Sequence, residues 1–218
     1  MQPQPILYRR ETPADYREVE NLTREAFWNR YAPGCDEHYL AHILRDCAAF
    51  VPELALVAVS QGRIVGSILY TRARILLDAG GALGVLTFGP LSVLPSHQRQ
   101  GIGGQLIART AAMAREAGEA AILIYGDPAY YARHGFVAAE RYGIGTRDDL
   151  YRASLQAAEL RLGALANAAG RFAEDGVFDL DPAESAAFDR LFPPRLKEED
   201  NEFQRRFRDV LAMARPRR

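Results

Sequence analysis

The sequence predicts an α/β fold in which helices pack on both faces of a mixed sheet. Two observations predict it. Apolar, β-branched runs joined by short glycine-containing turns occupy residues 54–93, which is typical of antiparallel hairpins. After residue 94, helical and strand patterns alternate, which is typical of a sheet that is covered by helices.

The N-terminal part is predicted to form one strand and two helices. Thr12 is a capping residue type, and Pro13 suits the first helical position because an N–H there would have no partner in the helix. The predicted elements are a strand over residues 6–9, a helix that runs toward Phe27 and a helix that opens at Cys35 or Asp36.

Three strands are predicted in the next section. Gln61-Gly62 separates two β-branched runs at residues 54–60 and 64–75, so these runs form a hairpin. The stretch Asp78-Ala79-Gly80-Gly81 has the composition of a second turn. Residues 85–93 are the third strand.

A glycine cluster follows this third strand. Gly101, Gly103 and Gly104 fall within four residues, and glycine suits places where the backbone turns sharply or approaches a ligand closely. Apolar residues then recur at helical spacing until Gly118, a residue type that commonly ends helices. The elements predicted next are a buried strand at 121–125, a short helix at 128–134, and strands that begin at 136 and 155.

The last part of the chain is predicted to be a partly helical extension. Asp181 and Pro182 form a typical helix start, so a short helix runs from there through Phe188. A final helix carries apolar residues on one face, namely Phe203, Phe207, Val210 and Leu211. We therefore assign residues 1–162 to the main domain and residues 163–218 to an extension that packs on it.

Composition argues against several classes of protein. With 218 residues and a formal net charge of -1, the chain is long enough for a core and is not one that binds nucleic acid through overall charge. No apolar run approaches the roughly 18 residues of a membrane span, and no secretory signal is recognisable. We expect a cytoplasmic monomer or homodimer with no nucleic-acid or membrane partner. Cys35 and Cys47 are expected to be reduced.

The glycine cluster is compatible with only some phosphate-binding motifs. A P-loop needs a lysine after its last glycine, and none is present here. A dinucleotide fingerprint needs a third glycine where this chain has Leu106. A helix N-terminus with free amides remains, and it suits a diphosphate, with Arg99 adding positive charge. A tight turn without any ligand is the alternative.

Two further stretches decide between these alternatives. Residues 91–95 read Leu-Ser-Val-Leu-Pro, and residues 98–103 read Gln-Arg-Gln-Gly-Ile-Gly, which matches a Gln/Arg-x-x-Gly-x-Gly/Ala signature after a strand. Residues 130–136 read Tyr-Tyr-Ala-Arg-His-Gly-Phe. Over residues 5–160 the chain resembles the GNAT N-acetyltransferase superfamily, and within it the bacterial YhbS-like acetyltransferases. That resemblance implies a mostly antiparallel central sheet flanked by helices and splayed between two central strands.

The resemblance also implies a cosubstrate and a set of site residues. Acetyl-CoA is expected between strands 85–93 and 121–125, with its arm paired to the first strand and its diphosphate on the loop amides. Tyr131 is expected to act as general acid toward the departing thiolate. The acceptor is expected to be an amine of a small molecule or peptide, and no metal is expected. The implied cofactor-binding residues are Leu91, Ser92, Val93, Gln98, Arg99, Gln100, Gly101, Ile102, Gly103 and Gly104.

Two departures from the family pattern leave alternatives open. Residues 86–93 contain no acid, although several family members carry their general base on this strand. A non-catalytic acyl-CoA-binding module is therefore the alternative function, and no base is assigned. Asp127 stands near the position where asparagine is common in the family, and an ionised carboxylate cannot donate hydrogen bonds.

Four residues of metal-ligand types, two cysteines and two histidines, cluster near the second helix. They lack the paired spacing of zinc motifs, so we expect no metal there. In the family the first two helices border the acceptor pocket, so the resemblance makes Trp28, His38 and Tyr39 candidate lining residues. The four residues of the cluster are Cys35, His38, His42 and Cys47.

Overall fold

The computed structural model describes residues 5–217. Residues 1–4, where the predicted main domain begins, and Arg218, where the predicted extension ends, lie outside the described residues. The strands are β1 (Leu7–Arg10), β2 (Leu56–Ser60), β3 (Arg63–Leu77), β4 (Ala82–Val93), β5 (Ala121–Tyr125), β6 (Val137–Ala138), β7 (Ile144–Gly145), β8 (Leu150–Arg152), β9 (Leu155–Glu159), β10 (Gly170–Ala173) and β11 (Ala214–Pro216). The helices are α1 (Tyr16–Phe27), α2 (Glu37–Leu44), α3 (Ile102–Glu116), α4 (Pro128–Tyr131), α5 (Pro182–Asp189) and α6 (Glu202–Ala212).

The chain forms two compact units, each built from several segments. Among the described residues, unit 1 contains 5–70, 89–107 and 176–205. Unit 2 contains 71–88, 108–175 and 206–217. The long strands β3 and β4 and the helices α3 and α6 contribute residues to both.

In unit 1, helices cover both faces of the strands. β1 pairs antiparallel with β2, and β2 pairs antiparallel with β3. Val57 packs against Val19 of α1, whereas its neighbour Ala58 pairs with Gly66 on the face that meets α3. Because successive residues of a strand point to opposite faces, α1 and α3 lie on opposite sides.

Unit 2 contains both parallel and antiparallel pairs. β4 pairs in parallel with β5 at Leu86 and Ile122, while β9 pairs antiparallel with both β5 and β6. β10 pairs antiparallel with β3 and in parallel with β7, and β8 pairs antiparallel with β11 in a separate two-stranded sheet. The core of this unit is apolar and includes Ile75, Leu123 and Phe172.

The predicted fold class is confirmed: the sheet is mixed, mostly antiparallel and flanked by helices. The strand at 121–125 and the helix after the glycine cluster have the expected positions. The N-cap at Asp181 is also present, since its Oδ1 accepts a hydrogen bond of 2.7 Å from Ala183 N.

Several short strands were not predicted from the sequence. β10 comes from the predicted extension and pairs with β3. At Gly170 a Cβ would overlap the carbonyl oxygen of Leu76, so only glycine lets these two strands approach this closely. Strands of two to four residues carry too little periodicity to be recognised, which also explains why β7, β8 and β11 were missed.

Candidate functional site

In unit 1, the segment that follows β4 is held at its start by Gln98. The Gln98 Nε2 donates a hydrogen bond of 3.0 Å to the Val93 carbonyl, and its Oε1 accepts one of 3.2 Å from Arg30 Nη2. A 3-10 turn, Pro95–His97, lies between Val93 and Gln98 along the chain. Gln98 thus ties the loop to both the end of β4 and the segment after α1.

The loop itself presents unbonded amides. Arg99 and Gly101 both adopt left-handed backbone conformations, with φ of 61° and 83°. Along α3, the first amide with a helical acceptor is that of Gln105, which donates to the Gly101 carbonyl at 2.9 Å. The amides of residues 102–104 therefore lack backbone acceptors among the described residues. Together with the positive end of the helix dipole they can bind an anion.

Close packing on β3 fixes where α3 begins. A Cβ at Gly66 would lie 2.9 Å from Ile102 Cγ2 and 3.2 Å from Leu106 Cδ1, which is closer than side chains normally approach. Gly66 was not predicted as a site residue. An isolated glycine inside a β-branched run is a signal of close backbone approach and would have indicated it.

The last residues of β4 have different environments. Ser92 is fully buried, and its Oγ donates a hydrogen bond of 3.0 Å to Thr23 Oγ1 of α1. Leu91 and Val93 are only partly buried. Ser92 can therefore contribute to a cofactor site through its backbone alone. Pro90, which has no N–H to donate, follows a cis peptide bond.

In unit 2, an aromatic cluster holds the Tyr131 ring. A Cβ at Gly126 would overlap this ring, so the ring lies directly against the Gly126 backbone. The ring centroid is 5.5 Å from that of Phe136, 5.9 Å from that of Phe88 and 5.0 Å from that of Tyr130. Such edge and tilted contacts restrict the ring orientation.

Asp127 positions the short helix that carries this tyrosine. Its Oδ1 accepts a hydrogen bond of 2.9 Å from Ala129 N, which is an N-cap, and its Oδ2 lies 2.9 Å from Arg206 Nη2 of α6. The carboxylate at this position therefore caps α4. Burial raises the pKa of the neighbouring Tyr130, so that its phenol is neutral across the physiological range.

The candidate acceptor residues on α2 are covered by α5 in unit 1. His38 is 0% exposed, and its ring packs against Phe188 and Phe192. Burial lowers the pKa of His38 to about 4, although the nearby Asp189 carboxylate acts in the opposite direction. Tyr39 donates a hydrogen bond of 2.6 Å to Glu184. These two side chains are therefore packed beneath the extension and do not line an open surface.

The residues considered for a metal site have other partners. Cys35 Sγ lies 3.5 Å from His38 Nδ1, and His42 Nδ1 lies 2.9 Å from Glu20 Oε1. Cys35 and Cys47 are not joined in a disulfide, and burial raises the pKa of Cys35. Within residues 5–217, no group of three or more His, Cys, Asp or Glu side chains has an arrangement that could hold a metal ion. No helix in that range is long and apolar enough to cross a membrane.

Comparisons with known proteins identify what this geometry resembles. A family model described as an acetyltransferase (GNAT) domain matches residues 52–138. The uncharacterized N-acetyltransferase YjhQ of Escherichia coli K12 is 36% identical over 123 residues, which are 56% of this chain and 63% of YjhQ. The chain thus spans less than two thirds of that relative. The uncharacterized N-acetyltransferase YhbS of the same strain is 29% identical over 143 residues, which are 65% of this chain and 80% of YhbS.

Two solved structures with bound coenzyme are similar over most of the chain. The E. coli YhbS crystal structure in complex with CoA has a TM-score of 0.72 at 26% identity, covering 83% of this chain and 95% of YhbS. A GNAT family acetyltransferase from Brucella melitensis in complex with acetyl-CoA has a TM-score of 0.65 at 29% identity. The match covers 81% of this chain and 100% of the B. melitensis chain.

Proposed function

The chain belongs to the GNAT acetyltransferase family and is similar to YhbS, and on that basis we propose that it is an acetyl-CoA-dependent N-acetyltransferase. Its acceptor is an amine of a small molecule or of a peptide. In this reaction the amine nitrogen forms a bond to the acetyl carbonyl carbon while the carbon–sulfur bond breaks. The amine loses a proton, and the departing thiolate gains one.

The loop after β4 is the observation that carries this proposal. Its free amides at residues 102–104 lie at the start of a 15-residue helix, and such a terminus favours phosphate groups. The left-handed conformation of Gly101 turns the backbone there, and a Cβ at this residue would meet no protein atom within 4 Å. The residues present therefore fit a coenzyme A diphosphate. The E. coli and B. melitensis neighbours have CoA and acetyl-CoA bound.

The chain's own residues then have distinct tasks. Backbone groups of Leu91 and Val93 bind the amides of the coenzyme arm in the manner of an added strand. The Tyr131 hydroxyl donates a proton to the sulfur as it leaves. A tyrosine titrates near pH 10 and a thiol near pH 8.5, so the phenol is protonated at neutral pH when the thiolate forms. The amine proton leaves to a group outside β4 or through water, since β4 has no acid, and no base is assigned.

A non-catalytic coenzyme-binding module is the second candidate. The specific observation in its favour is the absence of an acid from residues 86–93. The order and spacing of the residues around Tyr131 favour catalysis instead. Cytoplasmic location and a monomeric or homodimeric state stay predictions.

The two candidates differ in a direct assay. The purified chain is incubated with acetyl-CoA and a panel of amines, and free thiol is measured over time. Amine-dependent release of CoA supports the transferase, and mass spectrometry of the mixture identifies the acetylated acceptor. Tight CoA binding without release for any amine supports the binding module, and no CoA binding at all refutes both.

A further inference from the structure

A cavity of about 450 Å³ lies in unit 1 between the residues after α1 and the residues that precede α6. Its position is set by a buried polar contact network, and its lining combines aromatic rings with cations. The lining residues that matter here are Trp28, Arg30, Arg195, Glu198, Asn201 and Phe203.

Hydrogen bonds to Asn29 and Trp28 fix the two walls of this cavity. Asn29 is 9% exposed and adopts a left-handed conformation with φ of 59°. Its Nδ2 donates to the Leu196 carbonyl at 3.1 Å, and Trp28 Nε1 donates to the same oxygen at 2.9 Å. Asn201 Nδ2 donates to the Asn29 carbonyl at 2.7 Å. These bonds hold together the two segments that line the cavity.

Two arginines lie against aromatic rings at this cavity. The Arg30 guanidinium carbon is 4.4 Å from the ring centroid of Phe203, and that of Arg195 is 5.4 Å from the Trp28 ring. When an aromatic ring covers the face of a guanidinium, the N–H groups at the edge of the guanidinium remain available to an anion. Glu25 lies 3.4 Å from Arg195, so Arg30 is the cation less opposed by a carboxylate. Glu198 also lines the cavity.

A direct contact joins Arg30 to the loop that follows β4. Arg30 Nη2 donates a hydrogen bond of 3.2 Å to Gln98 Oε1, and Gln98 is the first residue of that loop. In the proposed function this loop holds the diphosphate of coenzyme A. The 3′-phosphate is attached to the same ribose as the diphosphate, so its site must lie close to the loop.

We propose that this cavity binds the 3′-phosphate of coenzyme A, with Arg30 as the principal binding residue and Arg195 as the second. The inference rests on the proposed function, because it needs the diphosphate on the loop. A phosphomonoester carries between one and two negative charges at neutral pH and three acceptor oxygens, which match the N–H groups of a guanidinium edge. An acceptor amine suits the cavity less well, since two of its lining residues are cations.

The test compares coenzyme A with 3′-dephospho-coenzyme A, using calorimetric Kd values for each. The parent chain should bind coenzyme A at least tenfold more tightly. In Arg30→Gln this preference should fall to about twofold, while the Kd for the dephospho form stays within about twofold of the parent. Arg30→Lys should retain part of the preference, because it keeps the charge but not the fork of donors.

Arg63→Gln is the matched control. It removes the same charge from the exposed start of β3 at the β2–β3 turn and should leave both Kd values unchanged. If Arg30→Gln fails to fold in a thermal melt, Arg195→Gln tests the same cavity and should also reduce the preference.

Two results would overturn the inference while leaving the proposed function intact. One is a parent chain that binds both coenzymes equally, and the other is an Arg30→Gln variant that weakens both by the same factor. A parent chain that binds neither coenzyme would refute the proposed function as well.

Discussion

The variant Gly101→Ala tests whether the loop after β4 binds the diphosphate of CoA or is only a turn. Gly101 has φ of +83°, and a Cβ there would contact no protein atom within 4 Å. The only folding cost is therefore the left-handed backbone, about 1–2 kcal/mol for an L-residue. Gly118, at the end of α3, has φ of +81° and equally open surroundings. Gly118→Ala is thus a control with the same strain and no expected role in binding.

Both variants should be less stable than the parent, but only Gly101→Ala should bind CoA more weakly. For a chain of this size, each kcal/mol corresponds to a fall in Tm of roughly 2–4 °C, so both melting temperatures should fall by about 2–8 °C. In Gly101→Ala the new methyl group displaces the diphosphate from the loop amides. Losing one hydrogen bond to a charged group costs about 1.5–3 kcal/mol, which corresponds to a roughly 10- to 150-fold weaker Kd for CoA.

Calorimetric titration of CoA and a thermal melt of each variant provide both measurements. The expected pattern is a weakened Kd in Gly101→Ala alone. If both variants melt lower but both bind CoA as the parent does, the loop is only a strand-to-helix turn. The assignment of its amides to the diphosphate would then be wrong.

Three other predictions concern proton transfer, pH and metal. Tyr131→Phe should keep the CoA affinity but lower kcat by about 10²-fold with a competent amine. Tyr130→Phe should lower kcat only slightly. A parental kcat in Tyr131→Phe would contradict the role of general acid. Because burial lowers the pKa of His38 from 6.5 to about 4, the unfolded chain binds a proton in that window that the folded chain does not. The free energy of unfolding, measured by urea denaturation, should therefore decrease as the pH is lowered from 6.5 to 4. The decrease should be larger in the parent than in His38→Gln by about 3 kcal/mol, and an equal pH dependence of the two would refute this. Purified protein should contain no stoichiometric zinc, and a chelator should not change its Tm; one zinc per chain in elemental analysis would overturn this.

Local patterns predicted those parts of the site that short segments of chain determine. The left-handed turn at Gly101 and the start of α3 follow from residue types within a few positions of each other. The strand at 121–125 was recognised because it is a continuous apolar run between turn signals. The short helix that carries Tyr131 was predicted at 128–134, and in the structure it begins at Pro128 directly after the N-cap Asp127.

Contacts between distant segments were not predictable in this way. Arg30 reaches Gln98 across 68 positions, and Asn29 bonds to residues more than 160 positions later. Neither residue has a local pattern that indicates a partner, because such partners are chosen by tertiary packing. Gly66 and Gly126 are intermediate cases. Gly66 lies inside a strand pattern, and Gly126 lies between a strand and a helix pattern. The side chain or ring that requires each glycine is known only from the fold.

The extension is part of the fold in unit 1, because buried polar groups of α1 and α2 depend on it. Arg24 is 4% exposed, and its Nε lies 2.6 Å from Asp189 Oδ1 of α5. Removing one partner from a buried ion pair typically costs about 3–5 kcal/mol, which is a large share of the stability of a domain. The same carboxylate lies 3.1 Å from His38 Nε2, which forms no hydrogen bond with a described residue and stays neutral through burial. Asp189→Ala, which keeps the rest of the extension in place over α1, would leave Arg24 as an unpaired buried cation. Residues that follow α5 in the same extension supply one wall of the cavity at Arg30, so the extension both stabilises the first helices and shapes that cavity.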